Sequence, residues 1–216
     1  MKKNLLILAL ILIVVKASAQ EFRAGPLLGT SFSQVDGDNF SGFNKVGITL
    51  GAFVTRSISD KWELQFDISY IQKGSREAPK PDKGKLDDYK IHLDYMQFPI
   101  VARYRYKNFS VEGGMSIAVL INDKEEIDGT PIEDLPSYNK VPFQTMEYAT
   151  VFGLNYHLND RLWINARLLY SLNRIRIPYD GEIPAYDPKN HWFSRKPGQY
   201  NNNFIVSVYY SLNSLL

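Results

Sequence analysis

The sequence predicts an all-β fold, an eight-stranded antiparallel up-and-down transmembrane β-barrel, and three observations predict it. Apolar and polar residues alternate with period two along almost the whole chain beyond residue 20. The connections between the alternating segments are short and long in turn. Aromatic residues gather at both ends of the apolar phase, which carries almost no charge in between. Each is expected of strands that close into a ring in hydrocarbon, where every backbone N–H and C=O must be paired and no sheet edge can stay open.

The first 19 of the 216 residues read differently. Lys2 and Lys3 form a basic start, eleven consecutive apolar residues follow from Leu5 to Val15, and Ala17-Ser18-Ala19 fits a small-x-small cleavage site. Eleven residues are too few for a spanning helix, which needs about 20, so residues 1–19 are expected to be a cleaved signal peptide. Residues 20–216 then form one barrel domain. Lys2, Lys3 and Lys16 leave with the signal, so basic residues, 25 in the whole chain, nearly balance the 23 acidic ones. No positive excess remains to point to nucleic acid. There is no cysteine, hence no disulfide framework or thiolate metal site.

The strands follow in order. The first, about 22–34, is the least regular. The second sets Val46, Ile48, Leu50, Ala52 and Val54 against Gly47, Thr49, Gly51 and Phe53. The third sets Trp62, Leu64, Phe66, Ile68 and Tyr70 against Glu63, Gln65, Asp67 and Ser69. In the fourth, Phe98 to Tyr106 alternate with Pro99, Val101, Arg103 and Arg105; in the fifth, Phe109 to Val119 alternate with Ser110, Glu112, Gly114 and Ser116. Met146 to Tyr156, Leu162 to Tyr170 and Phe204 to Leu212 supply the sixth, seventh and eighth. The links at 57–61, 107–108 and 159–160 are short; those at 35–42, 74–88, 122–142 and 178–199 are longer and hold most of the prolines. This is the pattern of periplasmic turns and extracellular loops, with both termini periplasmic.

A water-soluble barrel would turn its apolar face inward and leave Glu63, Asp67 and Arg103 in solvent. The aromatic residues argue for the inverse. Trp62, Tyr104, Tyr106, Phe109 and Tyr156 lie near the short turns; Phe32, Phe43, Tyr70, Tyr89, Tyr148, Tyr170 and Phe204 lie near the long links. Two such girdles mark the two faces of a bilayer. Arg56, the one outward charge, lies beside a short turn, where it can snorkel.

The inward phase then carries Arg23, Glu63, Asp67, Arg103, Arg105, Glu112, Glu147 and Arg167. Eight strands enclose room for side chains and little else, so these charges are expected to form a structural ion-pair network that fills the lumen. Arg103 is expected between Glu63 and Glu112, and Arg167 beside Asp67 or Glu147. A proton or ion path is the alternative. For catalysis the sequence offers His92 near Asp94, His191 near Ser194, and His157, with no His-Glu-x-x-His or Gly-x-Ser-x-Gly. The acidic run Asp123, Glu125, Glu126, Asp128, Glu133 and Asp134 reads as a solvated charge run, with a divalent cation or cationic partner as the sharper reading. Asp36-Gly37-Asp38-Asn39 lacks the remaining ligands of a calcium loop.

Several stretches carry a family likeness: Arg23-Ala24-Gly25, then residues 46–75, 93–106, 109–121 and 161–175, with the Tyr-x-x-x-Pro strand (Tyr95 to Pro99) and the Lys73-Gly74 ending of the third strand the most distinctive. In these the chain resembles the PorT-like outer-membrane β-barrel proteins of Bacteroidetes. The resemblance implies an eight-stranded outer-membrane barrel; one branch of that family is linked to type IX secretion and gliding. The expectation is a non-enzymatic barrel with a filled lumen, acting through extracellular loops or as an accessory subunit of an envelope complex. The alternatives are a small passive pore, a type IX secretion-associated barrel and a lipid-modifying enzyme. No metal or other cofactor is expected. Membrane lipid is the expected surrounding, and the sequence does not set an oligomeric state.

Overall fold

A computed structural model of the chain describes residues 22–38, 42–79, 81, 87–135, 141–177 and 198–212. The signal peptide and the His191–Ser194 pair lie outside the described residues. Eight long strands make the wall: β1 (Phe22–Asp36), β2 (Lys45–Ser57), β3 (Trp62–Glu77), β4 (Tyr89–Tyr106), β5 (Phe109–Ile127), β7 (Met146–His157), β8 (Leu162–Ser171) and β9 (Tyr200–Tyr210). A two-residue strand, β6 (Thr130–Pro131), folds back on the end of β5. Each long strand pairs antiparallel with its chain neighbour, and β1 pairs with β9 in the register Leu28↔Val208, Phe32↔Phe204. The sheet is therefore a closed eight-stranded up-and-down barrel.

The alternation in the sequence becomes an inside and an outside. Leu28, Ile100 and Phe152 are more than half exposed, whereas Arg103, Asn165 and Asn201 are fully buried. An apolar exterior around a polar interior is the arrangement of a barrel immersed in hydrocarbon. The rim aromatics pair across strands: Trp62 edge-on to Tyr104 at 5.1 Å and Phe109 against Tyr156 at 5.0 Å near the short turns, and Phe32 against Phe204 at 6.3 Å farther along the wall. Arg56 lies over the Phe22 ring at 5.8 Å, at the turn end, as a snorkelling cation should.

Two expectations need correction. Tyr89 does not belong to the outer girdle; it is buried and bonds Glu125 inside. The links expected at 74–88 and 122–142 are partly strand. β3, β4 and β5 are 16, 18 and 19 residues long. At the loop end they outrun the apolar band and form a raised wall. Beyond Tyr70 and Met96 its outward residues turn polar: Gln72, Asp94 and Asn122 share one cross-strand row, His92 and Lys124 the next, and Arg76, Lys90 and Glu126 the third. The wall ends in a tight turn at Asp128-Gly129, with φ of 51° and 78°, the left-handed pair that such a dipeptide accommodates. Behind it Val35, Ile91, Leu93, Ile132, Phe143 and Ile175 are buried together, an apolar cap over the loop end of the barrel.

Candidate functional site: the lumen and the raised wall

The short turns set the charged rows in the lower lumen. The two-residue turn Lys107-Asn108 places Arg103 opposite Glu112, and Glu63 lies opposite Arg103 on its other side. Inward residues on neighbouring strands at the same depth must meet. Arg103 donates to Glu112 at 3.0 and 3.3 Å, lies 3.6 Å from Glu63, and lies 5.4 Å from the Trp163 ring. Arg23 bonds the other side of Glu63. Arg167 donates to Asp67 at 2.6 Å and also reaches Glu112, two strands away. That reach depends on Gly153, which lies between them in the row Glu112↔Gly153↔Arg167. A Cβ there would come within 2.6 Å of Glu112 Oε1.

Neutral donors complete the shell. Glu112 accepts from Asn155 at 3.1 Å and Asn165 at 2.9 Å. Asp67 accepts from Gln65 at 2.7 Å and the Tyr209 hydroxyl at 3.1 Å. Three arginines (Arg23, Arg103, Arg167) thus face three carboxylates (Glu63, Asp67, Glu112), and the lower network is neutral. Phe53, Trp163 and Tyr209 pack among them at 5.0 to 5.4 Å between rings.

Two of the eight sequence-selected charges go elsewhere. Arg105 sits at the rim, 3.7 Å from the exposed Asp160 of the neighbouring turn. Glu147 does not meet Arg167, because it lies opposite Ala118, nearer the loop end, while Arg167 lies opposite Gly153. Its cation is Lys73, which sequence reasoning missed: Lys73 Nζ lies 3.0 and 3.1 Å from the carboxylate and 4.9 Å from the Tyr95 ring. Ser171 at 2.7 Å and Asn201 at 3.0 Å complete that site.

A third charged layer was also missed. Glu125 is not part of a solvated run; it is buried at the end of β5, where Arg176 donates to it at 2.5 and 3.1 Å. Arg176 in turn lies 3.8 Å over the Phe143 ring, so the cap and the charge network are one structure. The sequence signal was the Asp128-Gly129 turn, which marks a hairpin inside the acidic run and so makes Glu125 a strand residue.

The histidines stand as follows. His157 meets Ser110 Oγ at 3.1 Å and packs on Trp163, but both are buried in the lumen and His157 Nδ1 has no hydrogen-bond partner, so no carboxylate orients the ring. His92 bonds Asp94 at 2.9 Å on the outer surface of the raised wall; Asp94 also accepts from Tyr70 at 2.7 Å and Asn122 at 3.0 Å. At the top of that wall Arg76 grips Asp88 with two bonds of 3.0 and 2.9 Å, which hold the Asp88 carboxyl below its ordinary pKa. Among the described residues no three His, Cys, Asp or Glu side chains converge on a metal-sized site. The Asp36–Asp38 segment instead ties Asp36 to Gln34 at 2.8 Å.

The family model for the outer membrane protein beta-barrel domain matches residues 18–176. No curated relative matches. Among solved structures, the chain is similar to Neisserial surface protein A (13% identity, 88% of this chain and 97% of that one, TM-score 0.49). It is similar as well to the attachment invasion locus protein of Yersinia pestis in complex with a heparin analogue (12%, 89% and 99%, 0.46). A third is the outer membrane protein OprG of Pseudomonas aeruginosa (12%, 89% and 92%, 0.42).

Proposed function

The chain belongs to the outer membrane protein beta-barrel domain family, and on that premise we propose that it is a closed, non-conducting and non-enzymatic barrel whose work is done at its loop end. The observation that carries this reading is the filled lumen. Arg103 is wholly buried in a neutral network, and above it lie the Lys73–Glu147 pair, the Arg176–Glu125 pair and the apolar cap. A pore of this width would need a water column where these side chains stand.

What remains for interaction is the surface: the raised wall and the links around it, on a rigid scaffold. In this reading the loop end faces the exterior. The short turns face the periplasm, as do both termini, and at that end of the barrel Leu212 N–H donates to the Ala24 carbonyl at 2.9 Å. Partners are engaged from the loop end, the barrel serving as an accessory subunit of an envelope complex. The PorT-like likeness and a link to type IX secretion fit that role. The test is conductance. In planar bilayers the pure protein should give no steady current of porin size; a large, stable, open-channel current would overturn the reading in favour of the passive pore.

A further inference from the structure

We infer that the short-turn end of the barrel binds anionic phospholipid, a phosphodiester headgroup with no amine of its own, seated on the cations of the turns with its acyl chains against the aromatic girdle. The leaflet, the periplasmic one, rests on the orientation proposed above; the chemistry of the surface does not.

The charge of this end is unbalanced. The lower lumen network is neutral in itself and takes up none of the rim charge. Outside it, the described residues of this end carry Arg56, Lys61, Arg105, Lys107 and Arg161 against Asp60 and Asp160. Arg105 has one carboxylate near it, Asp160 at 3.7 Å, but Asp160 is 98% exposed and such a pair is worth little in water. Among the described residues no carboxylate lies within ion-pair distance of Arg56, Lys61, Lys107 or Arg161. Backbone hydrogen bonds tie the turns to the strands beside them. Arg105 N–H donates to the Lys61 carbonyl at 2.8 Å, His157 N–H to the Asn108 carbonyl at 2.7 Å and Ser211 N–H to the Arg161 carbonyl at 2.7 Å. Cations held on one rim in this way repel one another until an anion answers them.

Their position says what the anion is. Lys61 precedes Trp62, and Lys107 follows Tyr106, with its ammonium 5.6 Å from the centre of that ring. Arg56 lies over Phe22. Rings of such a girdle sit at headgroup level. A cation one residue farther along the strand is only about 3.3 Å beyond them, and the two-residue turn Lys107-Asn108 is too short to lift its charge clear of the membrane surface. These cations therefore stand in the phosphate layer itself. The face of a soluble protein would meet the turn tips alone, whereas lipids packed round the barrel also reach Arg56 on the outer wall. A zwitterionic headgroup would bring an ammonium of its own and cancel the gain, so the surface selects the anionic lipid.

The test uses the full mature chain refolded in detergent and four probes: dioleoylphosphatidylglycerol, dioleoylphosphatidylethanolamine, glycerol phosphate and polyglutamate. In native mass spectrometry phosphatidylglycerol should be retained in preference to phosphatidylethanolamine. Lys61→Gln and Lys107→Gln should each weaken its retention about fivefold, the change expected for one cation at an anionic membrane surface, and leave phosphatidylethanolamine unchanged. Asp60→Asn, which removes an acid from the same rim, should strengthen it. All three positions are exposed, so the heat-modifiable gel shift of each variant should equal that of the parent protein. Equal retention of the two lipids, or unchanged retention of phosphatidylglycerol when Lys61 and Lys107 are both replaced, would overturn the proposal. Displacement by glycerol phosphate would overturn it in favour of a free-anion site, and displacement by polyglutamate at matching charge in favour of an acidic protein partner. The orientation fails separately: labelling of a cysteine at Asn108 in intact cells would overturn the choice of leaflet, whatever the lipid preference in detergent.

Discussion

Replacing Glu112 with Gln keeps the shape of the side chain and removes one negative charge from the centre of the lumen. Glu112 has no exposed side-chain surface and serves Arg103, Arg167, Asn155 and Asn165 at once. Without it, three arginines face two carboxylates. Breaking a buried pair in this way costs about 3–5 kcal/mol. The lower end applies, because Arg167 keeps Asp67 at 2.6 Å and Arg103 keeps Glu63 at 3.6 Å. A loss of about 3 kcal/mol raises the unfolded fraction by about two decades. The assay is urea unfolding of the barrel in lipid vesicles, followed by the fluorescence of Trp163, whose indole lies against Arg103 and Tyr209. Glu112→Gln should lower the midpoint clearly. Adding Arg103→Met, which restores equal numbers of cations and carboxylates, should recover part of the loss. An unchanged midpoint in the single variant, or a double variant worse than the two single losses together, would refute the account of a neutral, coupled network.

Gly153→Ala should destabilise by about 1–3 kcal/mol, the usual cost of overpacking, because the new Cβ meets Glu112 and Arg167; Asn155→Ala, which deletes one neutral donor on the same strand, should cost less in the same unfolding experiment. The Arg76–Asp88 pair gives a pH dependence. The Asp88 pKa is depressed on folding, so its contribution is present above the ordinary carboxylate value of 3.8 and is lost as pH falls through the lower folded value. Both partners are substantially exposed, so the contribution is within about 1 kcal/mol; proteolysis of the 79–88 link should accelerate below about pH 4, and Arg76→Gln should remove that acceleration. A cysteine at Asp134 should react with an impermeant maleimide in intact cells and one at Asn108 should not; equal labelling would remove the topology.

The wall of the barrel was legible because each strand contrasts an apolar face with a polar one. The upper parts of β3 and β5 lack that contrast. Gln72, Gly74 and Arg76 face one way and Lys73, Ser75 and Glu77 the other, so the segment reads as a loop although it is paired strand. The same reasoning divides the lumen. Glu63, Arg103 and Glu112 lie on neighbouring strands joined by short turns, and turn length fixes which residues face one another. Lys73 and Glu147 lie on strands that are not neighbours and meet only across the closed lumen. Arg167 reaches Glu112 only over a glycine. Sequence spacing carries no information on contacts across a ring until its register is known.

The seam between β1 and β9 joins the first described strand of the chain to the last. Tyr209 reaches Asp67 and Asn201 reaches Glu147 from the strand that closes it. A chain lacking β9 therefore leaves two open edges and deprives two interior carboxylates of donors, all inside hydrocarbon. Partial barrels have no foothold there. Closing the ring joins strands about 180 residues apart, the most long-range pairing in the sheet and so the one with the greatest entropic cost to make.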